Sequence, residues 1–150
     1  MGSKFKTWQE RLNQSKTPLV KQLEFDFAGL KGGTMMLVSA PQEIDEYIRR
    51  IPFGKTCSIK QMGAELAQKH GADAICPAST SIFLRIVAEA ACEELQAGKD
   101  VGSITPFWRV VEPGSRLVQK LACGINFLEA MWECEGVQTA QTADYDAANA

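Results

Sequence analysis

The alternation of apolar and polar residues predicts a β-hairpin close to the N-terminus of the chain. Residues 19–27 alternate apolar and polar positions over their second half, which is typical of a strand with one buried face. Residues 34–39 form a second apolar run, and Gly32 and Gly33 lie between the two segments, where a turn is needed. We therefore expect an antiparallel strand pair, preceded by a short helix over residues 7–13.

From Pro41 onwards the apolar positions recur mostly at helical spacing. The predicted helices run from Pro41 to a stop at Pro52, from an N-cap at Ser58 to Gly71, over residues 79–97 and over residues 125–135. Residues 71–77 are expected to be a loop, residues 108–112 a strand, and Pro113-Gly114 a turn.

This order of elements, two helices followed by a strand and a turn, is typical of a winged helix-turn-helix domain. The predicted fold class is therefore α+β, with the winged helix-turn-helix domain over residues 41–136. Residues 1–40 are an N-terminal extension that contains the predicted hairpin. The polar, alanine-rich residues 137–150 are expected to be a disordered tail.

The size and composition indicate one globular domain. The chain has 150 residues, of which 45% are apolar and 23% charged, as in ordinary folded domains. The longest uncharged apolar run, residues 34–41, is far shorter than the roughly 20 residues that span a bilayer, so we expect no membrane partner. Five cysteines without a C-x-x-C pair indicate reduced thiols and a cytoplasmic protein, without a disulfide framework.

His70 is the only histidine, which limits the chemistry available to the chain. A Cys2His2 zinc site cannot be built, and any catalytic triad would have to use this residue. Because His70 comes directly before Gly71, it is better explained as a cation at a helix C-terminus. We predict no metal site and no cofactor.

Five short segments form a pattern that is more specific than any of them alone. They are Ile51-Pro52-Phe53-Gly54-Lys55, the helix start from Ser58 to Met62, Arg85-Ile86-Val87-Ala88, Thr105-Pro106-Phe107-Trp108-Arg109-Val110-Val111 and Glu135-Gly136. Together they resemble the DNA-binding domain of the O6-alkylguanine-DNA alkyltransferases over roughly residues 41–136. The resemblance implies the winged helix-turn-helix fold of the alkyltransferase C-terminal domain, with double-stranded DNA containing O6-alkylguanine as the partner.

The reactive element differs from the family pattern at two positions. The alkyltransferases carry Pro-Cys-His-Arg-Val, whereas here Phe107 stands at the acceptor cysteine and Trp108 at the histidine. Without a thiolate or a base at that point, the resemblance implies no catalytic residue. The chain is therefore most similar to the alkyltransferase-like proteins, which bind alkylated guanine without repairing it. Those proteins flag lesions for excision repair, so a repair protein is a further expected partner.

The resemblance also implies which residues contact DNA. Arg85 matches the arginine that fills the space left by a flipped nucleotide, and Phe107 and Trp108 are expected to line the base pocket and stack on the extruded base. The other expected DNA contacts are Ser58, Lys60, Ser79, Thr80, Ser81 and Arg109. Glu135 matches a family glutamate on the last helix and is expected to be structural.

The same residues also have simpler interpretations that do not involve DNA. Arg85 could pair with Glu89 one turn further along its helix, and Phe107 and Trp108 could be core aromatics. The net charge of −2 predicts a shallow dependence of DNA affinity on salt, with a slope of roughly −2 to −4 in log K against log salt.

Two other functions stay open at this point. A helix-turn-helix scaffold could bind a protein partner or unmodified DNA. A diverged methyltransferase could use another cysteine such as Cys76, although its neighbours Ile75 and Pro77 favour a structural thiol.

Overall fold

Helices and a small sheet make up the regular structure of the chain, so its fold class is α+β, as predicted. The computed structural model describes residues 7–14 and 16–136. In chain order the elements are α1 (Trp8–Leu12), β1 (Leu19–Gln22), β2 (Met35–Val38), α2 (Pro41–Arg49), α3 (Ile59–Lys69), β3 (Ala74–Ile75), α4 (Pro77–Gln96) and α5 (Gly124–Cys134). Between α4 and α5 lie three 3-10 turns: Val101–Ser103, Phe107–Arg109 and Arg116–Lys120. No helix in this part of the chain is long and apolar enough to cross a membrane.

The helices begin where the local sequence favours a helix start. The Thr7 hydroxyl accepts a hydrogen bond from the Glu10 amide and the Glu10 carboxylate accepts one from the Thr7 amide, which forms a capping box on α1. Ser58 caps α3 in the predicted way. Proline occupies the first turn of α2 and of α4, where its missing N–H has no intrahelical partner to lose.

Helix α4 is the central element of the core. All residues from Ile86 to Cys92 are buried, so this stretch is covered on every side and has no solvent-facing stripe. Helices α1 and α2 both pack against it. The exposed residues of α4 lie in its first turns, which include Ala78, Ser81 and Ile82, and at its last residue, Gln96.

The sheet has the order β1-β2-β3 and contains both kinds of strand pairing. Strands β1 and β2 are antiparallel, with Leu19 opposite Val38, as the hairpin prediction requires. Strand β1 ends at Gln22, however, so the predicted strand over residues 19–27 is wrong beyond that residue, where residues 24–29 are exposed and have no buried face.

The predicted loop over residues 71–77 contains β3, which the prediction missed and which pairs parallel to β2 through Leu37 and Ile75. The N-terminal strands thus share one sheet with a strand that lies between α3 and α4.

The prediction of a strand over residues 108–112 is wrong. Residues 107–109 form a 3-10 turn, closed by bonds from the Val110 and Val111 amides to the Phe107 carbonyl at 3.0 and 2.8 Å. Phe107, Trp108, Val110 and Val111 are all buried, so the segment does not alternate between a buried and an exposed face. Every strand in the described residues precedes α4.

The prediction that all cysteines are reduced thiols is also corrected. Cys92 on α4 and Cys123, directly before α5, form a disulfide with a Cα–Cα distance of 5.8 Å. Cys57 and Cys76 are buried free thiols, and Cys134 is an exposed one. The polar tail over residues 137–150 lies outside the described residues.

Candidate functional site

The carboxylate of Glu135, at the end of α5, is the centre of a buried polar cluster. It accepts hydrogen bonds from the Trp108 indole N–H at 2.6 Å and from the Gly54 amide at 2.9 Å. The Arg109 guanidinium adds a forked contact, with Nε at 3.0 and 3.1 Å from the two carboxylate oxygens and Nη2 at 3.0 Å from Oε2. Three chain segments that are far apart in sequence therefore meet at one side chain.

Arg109 ties the same cluster to the segment between α2 and α3. Its Nη1 donates to the Ile51 carbonyl at 2.7 Å, and its own carbonyl accepts from the Cys57 amide at 2.8 Å. The Trp108 carbonyl in turn accepts from the Trp132 indole N–H at 2.7 Å. The turn that carries Trp108 and Arg109 is thus held by side-chain and main-chain bonds on both sides.

The electrostatics of the cluster keep Glu135 ionised. Burial alone would raise the pKa of this carboxyl, but the hydrogen bonds from Arg109, Trp108 and Gly54 and the arginine charge lower its pKa below the ordinary value. A carboxylate with a depressed pKa and occupied oxygens is a poor proton acceptor. Glu135 is therefore suited to hold Trp108 and Arg109 in place, and not to act as a general base.

A cleft of about 440 Å³ opens beside this cluster. Its wall is mostly apolar, with the arginines and Glu135 as the charged groups. The lining residues are Arg49, Phe53, Val101, Gly102, Ile104, Pro106, Trp108, Arg109, Met131, Cys134 and Glu135. Its volume falls in the range of small-molecule pockets, roughly 300 to 1,000 Å³.

Two aromatic side chains, Phe53 and Trp108, line this cleft. Phe53 is 65% exposed and its ring lies 5.8 Å from the Arg109 guanidinium carbon, as a cation–π pair. Trp108 is only 3% exposed, so it forms part of the cleft wall and not a free stacking platform. Phe53 is therefore the aromatic ring that a planar ligand entering the cleft can reach most readily.

Phe107 does not line the cleft, so the prediction that it stacks on an extruded base is wrong. Its exposure is 0%, and its ring stacks on Phe127 with centroids 6.0 Å apart and meets Trp108 edge-on at 5.4 Å. The side chain that the resemblance matches to the acceptor cysteine is thus a core residue.

Arg85 lies between two elements of the fold. Its Nη2 is 3.6 Å from Oε2 of Glu89, and its guanidinium carbon lies 5.2 Å from the ring centroid of Trp8 on α1. The pairing with Glu89 is the simpler of the two sequence interpretations. Helix α1 is therefore packed beside the arginine that the resemblance assigns to the vacated base position.

The remaining predicted DNA contacts cluster at the starts of α3 and α4 and do not reach the cleft. Ser58 uses its hydroxyl to cap α3 through the Gln61 amide at 3.0 Å, and Lys60 is exposed. Thr80 is buried and donates to the Cys76 carbonyl at 2.6 Å, whereas Ser81 is exposed. The Ser79 hydroxyl oxygen is buried and has no hydrogen-bond partner among the described residues.

Phe53, Met131 and Cys134 line the cleft but were not predicted to form a site. Phe53 belongs to the 51–55 segment that supported the resemblance, and Cys134 directly precedes Glu135, so both had a local signal. Their contribution to one cleft depends on packing between segments about 80 residues apart along the chain, as the Gly54–Glu135 hydrogen bond shows. No residue-level pattern reports such a distance.

A second ionisable cluster connects α2 to α3. The Glu43 carboxylate accepts from the Ser39 hydroxyl at 2.6 Å, lies 2.6 Å from Nε2 of His70, and is 3.3 Å from Nζ of Lys69. Burial would raise the pKa of Glu43, but these partners lower it. His70 caps the C-terminus of α3, as predicted. Among the described residues no group of three or more histidines, cysteines or carboxylates is arranged to hold a metal ion.

Comparison with known proteins adds no further information: no family model, curated protein or solved structure matches this chain.

Proposed function

We propose that this chain is a non-enzymatic DNA-binding protein of the alkyltransferase-like kind. In this proposal α3 and α4 are the two helices of a helix-turn-helix, and the cleft beside Glu135 receives an O6-alkylguanine that has been flipped out of the duplex. A repair protein would then act on the flagged lesion.

The observation that carries the proposal is the occupied carboxylate of Glu135. The family's reactive element pairs a thiol with a histidine, whereas Phe107 is buried here and the Trp108 indole N–H donates to Glu135 at 2.6 Å. The indole cannot accept a proton, because its nitrogen is a donor only. Residues 105–111 are therefore ordered beside a cleft, but positions 107 and 108 lack the thiol and the base that alkyl transfer needs.

The cleft has properties that suit recognition of a base without chemistry. Base–aromatic stacking contributes roughly 1 to 3 kcal/mol per base, which is similar to the few kcal/mol that flipping costs. Phe53 offers an exposed ring, and Arg109 retains N–H groups beyond those used by Glu135 and Ile51. An arginine N–H beside an aromatic ring can donate to an acceptor such as N7 of a stacked purine.

The test is a binding titration of otherwise identical duplexes that contain guanine or O6-methylguanine, at two salt concentrations. Tryptophan fluorescence is a suitable signal because Trp108 forms part of the cleft wall, and a Trp8→Phe background removes one of the two other tryptophans. Tighter binding of the lesion duplex, with a fluorescence change that persists at higher salt, is expected. Equal, weak binding to both duplexes would favour a scaffold that binds unmodified DNA, and no binding would favour a protein partner.

Two phenylalanine variants test whether the lesion binds in the cleft. Phe53→Ala removes the exposed ring at the cleft and should reduce the preference for the lesion duplex by about tenfold, which corresponds to the lower half of the stacking range. Phe25→Ala is the matched control, because Phe25 is 77% exposed and lines a different cleft. If both variants retain the full preference, the cleft is not the base pocket.

One observation favours a second candidate function, a diverged methyltransferase. Cys76, the cysteine considered from the sequence, is buried in an apolar cluster with Leu23 and Met36. Cys134 is exposed and lines the cleft. Its thiolate would form an S–CH3 bond while the O6–CH3 bond of the lesion breaks, and the guanine anion that leaves would take up a proton from water to give unmodified guanine.

Mass spectrometry distinguishes the two functions. After incubation with the alkylated duplex, the leading proposal predicts no change in protein mass. A stoichiometric gain of one methyl group that disappears in Cys134→Ser would replace it with the transferase.

A further inference from the structure

One disulfide closes the stretch of chain that builds most of the cleft wall. Cys92 lies in the buried part of α4, and Cys123, 31 residues later, directly precedes α5. Between the end of α4 and Cys123 the chain forms 3-10 turns and no α-helix or strand. We call residues 97–122 the cleft loop, because they include more than half of the residues that line the cleft. Those residues are Val101, Gly102, Ile104, Pro106, Trp108 and Arg109.

The cleft loop and α5 are packed together. Met131 on α5 lines the cleft, and Glu135 at the end of α5 binds Arg109 of the cleft loop. The backbone of α5 lies close to the 3-10 turns of residues 107–109 and 116–120 but makes few close approaches to α4. The shape of the cleft therefore depends on how the cleft loop and α5 are attached to the central helix.

Adjacent residues at the end of the cleft loop are linked to α4. The Ala122 amide donates to the Glu89 carboxylate at 2.9 Å, and the next residue, Cys123, is bonded to Cys92. Residues 107–109 contact α4 as well. Cleavage of the disulfide would leave the hydrogen bond to Glu89 as the neighbouring attachment, and that bond alone does not close the loop covalently.

The two ends of the disulfide differ in their exposure. Cys92 is 0% exposed, whereas Cys123 is partly exposed and its neighbour Ala122 is exposed. Ile125, two residues further on, is also exposed. Thiol–disulfide exchange requires that a thiolate reach one of the two sulfurs. The Cys123 end is therefore the one that a thiolate from solvent can approach while α4 stays folded.

Much of the fold lies outside the closed loop. Helices α1, α2 and α3 and every strand of the described residues precede Cys92, and their fully buried side chains include Leu37, Ile44 and Met62. The chain also has three free cysteines, unlike the disulfide frameworks of small secreted domains. A lone disulfide beside free thiols is more typical of a bond that forms and breaks.

We infer that the Cys92–Cys123 disulfide is a redox switch for the cleft. In the oxidised protein the bond holds the cleft loop and α5 against α4, so the cleft keeps its shape. In the reduced protein the loop gains conformational entropy, and the formed cleft is populated less. The inference rests on the proposed function for the identity of the ligand, and it adds regulation of that same site.

The reductant that operates the switch is a dithiol. One thiolate of the dithiol attacks Sγ of Cys123, the S–S bond breaks, and Cys92 leaves as a thiolate that takes up a proton. The second thiol of the reductant then attacks the mixed disulfide, releases Cys123 as a thiol and leaves the reductant as an intramolecular disulfide. Two electrons pass from the dithiol to the cysteine pair.

Hydrogen exchange measured by mass spectrometry tests the switch without any ligand. Oxidised protein is compared with protein reduced by excess dithiothreitol, and circular dichroism checks that the reduced protein is folded. The amides of α5, and those of Val110 and Val111 that bond to the Phe107 carbonyl, should exchange about 100-fold faster after reduction, because a loop of this length is released. The amides of α3, outside the loop, should exchange at an unchanged rate.

Two variants separate loss of the bond from loss of a thiol. The double variant Cys92→Ser and Cys123→Ser should exchange like the reduced wild type and should not respond to dithiothreitol. Cys76→Ser is the matched control, because Cys76 is a free thiol outside the cleft, and it should respond to dithiothreitol as the wild type does. If the double variant does not fold, reduced wild type provides the same comparison.

Three results of the exchange experiment would overturn the inference. The first is an unchanged exchange rate in folded protein whose five cysteines all react with a thiol reagent. The second is a disulfide that resists dithiothreitol until the protein is unfolded by denaturant. The third is loss of the whole circular dichroism signal on reduction, since the bond would then be structural.

A second measurement connects the switch to the cleft. The duplex that contains O6-methylguanine should bind about tenfold more weakly to the reduced protein, because a smaller fraction of it has a formed cleft. Faster exchange with the same affinity in both redox states would overturn the control of the cleft. Faster exchange without a preference for the lesion in either state would reject the proposed base pocket and leave the switch intact.

Discussion

The Trp108 indole N–H donates to the Glu135 carboxylate at 2.6 Å, within a cluster where Arg109 and Gly54 bind the same carboxylate. Under the proposed function, Trp108 corresponds to the histidine of the alkyltransferases and Glu135 to their last-helix glutamate. The indole nitrogen is a donor only, so this pair cannot relay a proton. This contact joins the 3-10 turn of residues 107–109 to the end of α5.

Replacing Glu135 should destabilise the fold strongly. Glu135→Gln removes the negative charge that faces Arg109, whose side chain is only 14% exposed, and weakens the bonds from Trp108 and Gly54. We expect the free energy of unfolding to fall by about 2 to 4 kcal/mol. Chemical denaturation followed by circular dichroism measures the change. Glu133→Gln, on the exposed side of α5, is the control and should change stability by less than about 0.5 kcal/mol.

The contribution of Glu135 should depend on pH in a defined direction. Its pKa is lower in the folded protein than in the unfolded chain, so the unfolded state binds the proton more tightly. The stabilisation is therefore complete above the ordinary glutamate pKa of about 4.3 and is lost as the pH falls through the lower folded value. The stability difference between wild type and Glu135→Gln should be constant from about pH 6 to 8 and shrink below about pH 4. A difference that grows on acidification would contradict this assignment.

Phe107 should behave as a core residue. Phe107→Ala removes a side chain with no exposed surface that packs on Phe127 and Trp108, and should lower the free energy of unfolding by about 3 to 5 kcal/mol. Phe25→Ala, at a position that is 77% exposed, should cost less than about 0.5 kcal/mol. Thermal and urea unfolding of the two variants provide the comparison. A small change in the free energy of unfolding of Phe107→Ala would contradict the buried position of this ring.

The disulfide can be checked by counting thiols. Protein purified without reductant and unfolded in denaturant should react at three of its five cysteines, and at all five after reduction. Replacing both Cys92 and Cys123 by serine should lower stability by about 3 to 4 kcal/mol relative to the oxidised protein, given a sequence separation of 31. Five reactive thiols before reduction would show that the pair is not bonded.

The components of the candidate site had local signals, but their arrangement did not. Phe53, Arg109 and Glu135 all lie in the segments on which the resemblance depends. Nothing in those segments indicates that Glu135 binds the Gly54 amide or that the Phe53 ring lies beside Arg109. Nor do they indicate that Phe107 is buried in the core. Hydrogen bonds over such sequence separations follow from how helices pack, which no local pattern records.

The sequence by itself determined most of the helices and the presence of the hairpin. Pro41 and Ser58 act within one turn of the chain, so the starts of α2 and α3 can be derived from the sequence alone, whereas α4 begins at Pro77, two residues before its predicted start. Glycines beyond the helix ends, such as Gly71 and Gly98 with φ of 70° and 99°, act in the same local way.

Only the tertiary structure decided the state of residues 107–111, the pairing of β3 with β2, and the placement of Arg85. An apolar run that is buried from all sides has no period to distinguish a strand from a turn, and Val110 and Val111 belong to such a run. Strand β3 has two residues, too few for a pattern, and is stabilised by its bonds to β2. The surroundings of Arg85 come from α1, which lies more than 70 residues earlier in the chain and reaches α4 through the Glu93 carboxylate. Local propensity acts over a few residues, whereas these features depend on which surfaces the packed core brings together.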